Sequence, residues 1–235
     1  MSSSRARVVV PVLLLLVVVA VVAGLLVGRG NDEEPSAAPT ASASATASAT
    51  AGPEPATEAT APDLTRRTED DAMALGPVDA PVGIVVYSDY SCPYCQRWAQ
   101  ETLPTLAAYA EDGDVRLESR DVAILGEDSE RAAVAAAAAA RQGAYWEYHD
   151  LLMSDLEARS EEDLVAFAEQ AGLDVEQFRA DLTDPEVLAV VDQNMQEAQA
   201  VGLQSTPSFI VAGTPVVGAQ PTDVFVEIIE AELGS

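Results

Sequence analysis

The sequence predicts an α/β domain with a helical insertion, carried behind a single N-terminal transmembrane helix and a disordered linker. Three observations predict it. An apolar run occupies residues 8–27, a stretch of small residues follows it, and from Leu64 onward the pattern changes to regular elements. Their order is strand, helix, strand, a block of helices, a hairpin and a last helix.

Val8 to Val27 is apolar throughout, interrupted only by Pro11 and Gly24. At about 1.5 Å rise per residue a helix of that length crosses roughly 30 Å, the thickness of a bilayer core. Arg5 and Arg7 precede the run, and Asp32, Glu33 and Glu34 follow it, with Arg29 weakening the contrast. That asymmetry places the N-terminus in the cytoplasm and everything downstream outside. A secretory signal cut after Ala23 is the alternative, but apolar residues continue past that point, which favours a retained anchor. No cysteine follows the run, which argues against a lipoprotein anchor. The expectation is a single-pass cell-membrane protein with residues 1–30 as tip and anchor, or a secreted protein after cleavage.

Residues 31–63 include "PSAAPTASASATASATAGPEPATEATAP", which offers no large apolar side chain to bury. Such a segment cannot offset the entropy of ordering and reads as a tether. The remainder, 64–235, is long enough for one domain with a sizeable core. Net charge is −27, from 39 acids against 12 bases, all arginine. A chain so acidic repels phosphate backbones, which excludes nucleic acid as a partner.

Within the domain, Ala80 to Asp89 is β-branched and apolar and reads as a buried strand. Ser91 to Ala110 turns helical, with Trp98, Leu103, Leu106 and Tyr109 recurring three to five apart and Pro104 kinking the helix or ending its first half. After a turn at Glu111–Asp114, Val115 to Val122 alternates like a half-buried strand. Ser129 opens an alanine-rich helix that stops at Gly143, and "AYWEYHDLLM" continues helically. Ser160 with Asp163 forms a capping box for the next helix, Asp174 with Gln177 opens a short one, and Asp184-Pro185 starts another that runs to about Gly202. The insertion therefore covers about 128–203. Thr206 to Gly213 is a strand, "TPVVG" its partner, and Pro221 to Leu233 an amphipathic helix.

The only two cysteines, Cys92 and Cys95, fall just after the first strand, on the first turn of a helix. A structural staple, half a zinc site, an inert thiol pair and thiol–disulfide exchange are the four readings. A loop this small constrains the unfolded chain little. A metal would need ligands that one histidine, His149, does not complete. Exchange has a direct physical case. A helix N-terminus favours the Cys92 thiolate, and Cys95, one turn deeper, can reach it and expel a mixed disulfide. Asp89 would oppose that if its carboxylate faced the sulfur, unless it turns away as a local cap. His149, Tyr145, Trp146 and Tyr148 read as packing rather than as a site, and no metal ligand set is expected.

A strand, "CPYC" on a helix, and a later strand beginning "TP" resemble the thioredoxin fold. More than a hundred residues separate Cys95 from Pro207, and the helices filling that gap resemble those inserted in DsbA-like thiol oxidoreductases. "GPVDAPVGIVVYSDYSCPYC", "QGAYWEYHDLL", "AGLD" and "STPSFIVAG" match that family's stretches in order, from about Gly76 to Leu233. The resemblance implies a cis-proline at Pro207 facing the dithiol. It implies Cys92 as the accessible sulfur, Cys95 as its buried partner, and Pro93 and Tyr94 as the residues that set the thiol environment. Thr206 would offer its backbone to an extended client. Two departures stand out: Val86 replaces a frequent acidic residue that assists proton transfer, and Ser205 a frequent glycine.

The function expected is that of an extracytoplasmic thiol:disulfide oxidoreductase introducing disulfides into exported proteins. No dissociable cofactor is implied, and the family implies reoxidation by a quinone-linked membrane partner of the DsbB or vitamin K epoxide reductase type. A disulfide reductase on the same fold, or a non-catalytic anchored peptide-binding module, are the alternatives. An isomerase is disfavoured, because the tether cannot fold into a dimerisation domain.

Overall fold

A computed structural model describes residues 64–234. The anchor expected at 8–27, its possible cleavage after Ala23 and the linker expected over 31–63 lie outside the described residues. Among the described residues no helix is long and apolar enough to cross a membrane.

The chain runs through β1 (Ala74–Leu75), β2 (Val82–Ser88), α1 (Pro93–Glu101), α2 (Leu103–Glu111) and β3 (Val115–Asp121). It continues with α3 (Glu127–Arg141), α4 (Tyr145–Ser154), α5 (Glu161–Gln170), α6 (Val175–Asp181) and α7 (Pro185–Ala200). It closes with β4 (Ser208–Val211), β5 (Thr214–Val217) and α8 (Thr222–Leu233). The sheet order is β1-β3-β2-β4-β5. β2 and β3 are parallel, joined by the α1–α2 crossover, whereas β4 lies antiparallel to β2 and β5 antiparallel to β4. β2 is therefore central, and its C-terminal end delivers the chain to the cysteines.

Of the two outcomes expected at Pro104, the helix takes the second: its first half ends there. Pro104 has no N–H to continue the ladder, so α1 ends at Thr102, whose N–H reaches the Trp98 carbonyl (2.8 Å), and α2 restarts with Pro104 in its first turn. The capping box at Ser160 and Asp163 is present in full, and Asp174 and Asp184 cap α6 and α7 through the N–H groups of Gln177 and Glu186.

Three expectations are corrected. The two-residue strand β1 is too short to leave a periodic signal. Ser129 does not open α3: Gly126, at φ 117°, does, and Ser129 lies buried inside the first turn. β3 is not half-buried, because all seven of its residues are buried. Its charged side chains enter an ion-pair network beneath α7 and the segment before β1. There Glu118 accepts from the Arg66 and Arg67 backbone N–H groups and from the Arg116 and Arg120 guanidinium groups. Arg120 and Arg66 also meet Glu197 on α7. A buried carboxylate needs such a set of donors to offset its lost hydration. Despite its own burial, the Arg120 guanidinium and the Arg66 and Arg67 backbone donors hold Glu118 below the ordinary glutamate value.

The insertion is built around α3. Ala132 to Ala139 are all buried, since α4, α5, α6 and α7 pack around it. Over Ala132 to Ala139 the helix is therefore apolar on every face, and alanine lets its neighbours approach closely.

Candidate active site

Ser88 ends β2, Asp89 to Ser91 form the turn, and Cys92 is the N-cap of α1, with Pro93 at its first position. Proline there has a pre-set φ and lacks only an N–H that would have had no partner. Cys95 sits one turn in. The cysteines are free thiols. Cys92 is 5% exposed and Cys95 0%. Cys92 is thus the more exposed sulfur but not the openly accessible one expected, because the loop before β4 lies over it.

That loop contains a cis bond between Thr206 and Pro207. The Cys92 thiol donates to the Thr206 carbonyl at 3.4 Å, so residues 114 positions apart meet at the sulfur. Once the proton leaves, the Thr206 side chain can bond the thiolate instead. The structure brings Cys92, Cys95, Pro93, Thr206 and Pro207 to one place. Tyr94 points outward, 57% exposed, with the Arg97 guanidinium 5.0 Å from its ring centre. Its backbone N–H rather than its ring serves the thiolate.

The two thiols are driven apart in acidity. The Cys95 thiol's hydrogen bond, then the Thr206 side chain and the N–H groups of Cys95 and Tyr94, outweigh burial and bring Cys92 down to about 5. Burial, reinforced by the bond to Cys92, pushes Cys95 far up. One sulfur is an anion at neutral pH while the other keeps its proton, as a nucleophile and its reserve partner require.

Asp89 turns away from the sulfurs. One carboxylate oxygen accepts from Ser91 N (2.8 Å) and Ser129 Oγ (2.6 Å), the other from Ile124 N and Leu125 N. It ties the active-site turn to the start of α3. Its own N–H points at Cys95 Sγ, 3.5 Å away. Val86 is buried in β2 between Ser119 of β3 and Phe209 of β4, with no polar atom to offer.

Sequence reasoning missed Asp121 and Arg159. Asp121 is fully buried and accepts from the hydroxyls of Tyr145, Tyr90 and Ser119. Burial raises it to about 6, with the charge of His149 the largest opposing influence. His149 packs against Tyr90, Tyr145 and Trp146. Arg159, also buried, donates to the carbonyls of Tyr90, Leu152, Asp155 and Ala158, fixing the turn two residues before Cys92. A lone acid closing a strand carried no periodic signal. Among the described residues no group of three or more His, Cys, Asp or Glu could hold a metal.

Comparison with known proteins agrees with this geometry. A thioredoxin-like oxidoreductase from Silicibacter pomeroyi has a solved structure of TM-score 0.62 and 35% identity, covering 70% of this chain and 98% of that one. A probable disulfide bond formation protein D of Bacillus cereus is 32% identical over 60% of this chain and 70% of its own length. A Na(+)/H(+) antiporter NhaA 3 of Salinispora tropica is 36% identical over 59% of this chain but only 21% of its own length. The chain spans about a fifth to a quarter of the antiporters it matches. Residues 68–231, well over half of the chain, match a family model described as thioredoxin. The chain therefore belongs to the thioredoxin family, in the DsbA-like form, with helices inserted between β3 and β4, that its sequence resembles.

Proposed function

We propose that the protein is a membrane-anchored thiol:disulfide oxidoreductase that introduces disulfides into exported proteins. One observation carries this reading: an acidic Cys92 thiol at a helix N-terminus, bonded to a buried and weakly acidic Cys95, beneath the Thr206–Pro207 loop. A client thiolate attacks Cys92 of the oxidised pair, and Cys95 leaves with its electrons. The client's second thiol loses its proton to solvent and attacks the mixed disulfide at the client sulfur, releasing Cys92 as a thiolate while Cys95 takes up a proton. The client leaves with a disulfide and the enzyme with two reduced sulfurs.

The acidity of Cys92 supports the oxidising direction. A thiolate stable at neutral pH is a good leaving group and stabilises the reduced enzyme, which makes the pair an oxidant. The Thr206 backbone, which lies beside Cys92, suits an extended client segment lying as an added strand. Regeneration would come from a quinone-linked membrane reoxidase of the DsbB or vitamin K epoxide reductase type, with the anchor at 8–27 keeping both in one membrane.

The equilibrium of the Cys92–Cys95 pair against glutathione tests this. The reading expects a potential near the oxidising end of the thioredoxin-fold range, around −120 mV rather than about −270 mV. A value at the reducing end would make the protein a reductase. A Cys92→Ser variant that kept the cellular role would leave only a peptide-binding module.

A further inference from the structure

The step just described leaves a thiolate on Cys95, a sulfur with no exposure to water. A buried anion needs donors, and the protein must hold them ready before the charge forms. The Asp89 N–H is one, 3.5 Å from Cys95 Sγ. Ser88 is the residue before it. Ser88 lies on the same face of β2 as Ile84 and Val86, which share the core cluster of Cys95.

Ser88 is 2% exposed, and its Oγ has no hydrogen-bond partner among the described residues. An unpaired buried hydroxyl is costly and uncommon, so its retention calls for a use. The residue paired with Ser88 on β3, Asp121, carries a carboxylate that is already served by Tyr90, Tyr145 and Ser119. Cys95 Sγ, by contrast, still has room for a donor: the Asp89 N–H already points at it from 3.5 Å, and the Ser88 side chain, one residue earlier, opposes the rise that burial imposes on this thiol.

We infer that Ser88 is a catalytic residue: its hydroxyl is the donor kept free for the Cys95 thiolate. When the Cys92–Cys95 bond breaks, the electron pair goes to Cys95 Sγ, and Ser88 Oγ–H and Asp89 N–H bond that sulfur without giving up their protons. When the pair reforms from a mixed disulfide on Cys92, the same two bonds lower the cost of ionising Cys95, whose proton passes to solvent as it attacks Cys92 Sγ and expels the other sulfur as a thiolate. The role is specific to steps in which Cys95 is charged, and it rests on the thiol-exchange reading above.

The full chain, reduced and mixed with oxidised glutathione, separates those steps. Cys92 first forms a mixed disulfide with one glutathione. Cys95 then attacks Cys92 and expels the second. Quenched samples read by mass give both rates. Ser88→Ala should leave the first rate within about twofold and slow the second about tenfold or more, the size expected for one hydrogen bond to a charged group. The glutathionylated protein should accumulate, and Ser88→Thr, which keeps the hydroxyl, should restore the second rate. Equal second rates in Ser88→Ala and the natural protein overturn the assignment, as does a loss of both rates that Ser88→Thr shares. If the natural protein itself forms no mixed disulfide, the exchange reading fails and this assignment fails with it.

Discussion

At Cys92 the N–H groups of Tyr94 and Cys95 converge on the sulfur, the Cys95 thiol adds the strongest bond, and the Thr206 side chain another. Each should be separable by titration. The natural protein's thiolate absorbance should rise with a midpoint near pH 5, where a free cysteine titrates near 8.5. Cys95→Ala should raise that midpoint more than Thr206→Val, and a single bond to the anion corresponds to about one to two pH units. The reverse order would displace the Cys95 bond from its leading place. Asp121 shows the opposite physics, since burial raises its carboxyl to about 6. A group whose folded pKa exceeds its unfolded one contributes stability below the unfolded value and loses it as pH climbs through the folded value. Asp121→Asn removes that loss. Relative to the natural protein it should therefore gain about 3 kcal/mol between roughly pH 4 and pH 7, read from urea midpoints. Parallel pH profiles for the two proteins would show that the carboxyl carries no net burial penalty.

Helix α3 sets the geometry of the insertion, and alanine is the reason the other helices can close on it. Ala136 is fully buried there. Ala136→Leu inserts three extra carbon atoms into this packing and should cost about 1–3 kcal/mol in chemical denaturation. Glu130→Ala, on the exposed side of the same helix, should stay within about 0.5 kcal/mol. Equal effects would mean the bundle has slack. The elements were legible where a local rule writes them: Pro104 breaks the helix, Ser160 and Asp163 form the box, and Asp184-Pro185 starts α7. They were illegible where a distant partner decides. The alternation of β3 suggested one wet face, yet Arg116, Glu118 and Arg120 are covered by α7 and by residues 66–68. Ser129 looked like a cap, but its hydroxyl goes to Asp89. The candidate site was legible through the cysteine spacing and the Thr-Pro pair. Ser88 and Asp121 were not, because a buried hydroxyl or acid signals itself only by its neighbours.

For the whole molecule, redox state and folding stability are linked through Cys92. Its folded pKa is depressed, to about 5, so in the reduced protein it contributes stability that is lost as pH falls through that value and grows toward the unfolded thiol's pKa of about 8.5. The oxidised protein has no thiolate and lacks this contribution. Its disulfide closes a loop of four residues, Cys92 to Cys95, which constrains the unfolded chain only weakly. Cys95 adds nothing within that window, because a thiol pushed up by burial begins to cost stability only when pH exceeds the unfolded value. The reduced protein should therefore melt above the oxidised one at pH 7, and the gap should shrink as pH drops toward 5 and vanish below it. A thermodynamic cycle connects that gap to the redox potential: whatever makes the reduced fold the more stable one makes its disulfide the stronger oxidant. Melting both forms across pH 4 to 8 therefore measures the direction of electron flow without any client. An oxidised form that melts higher at pH 7 would assign the protein to reduction.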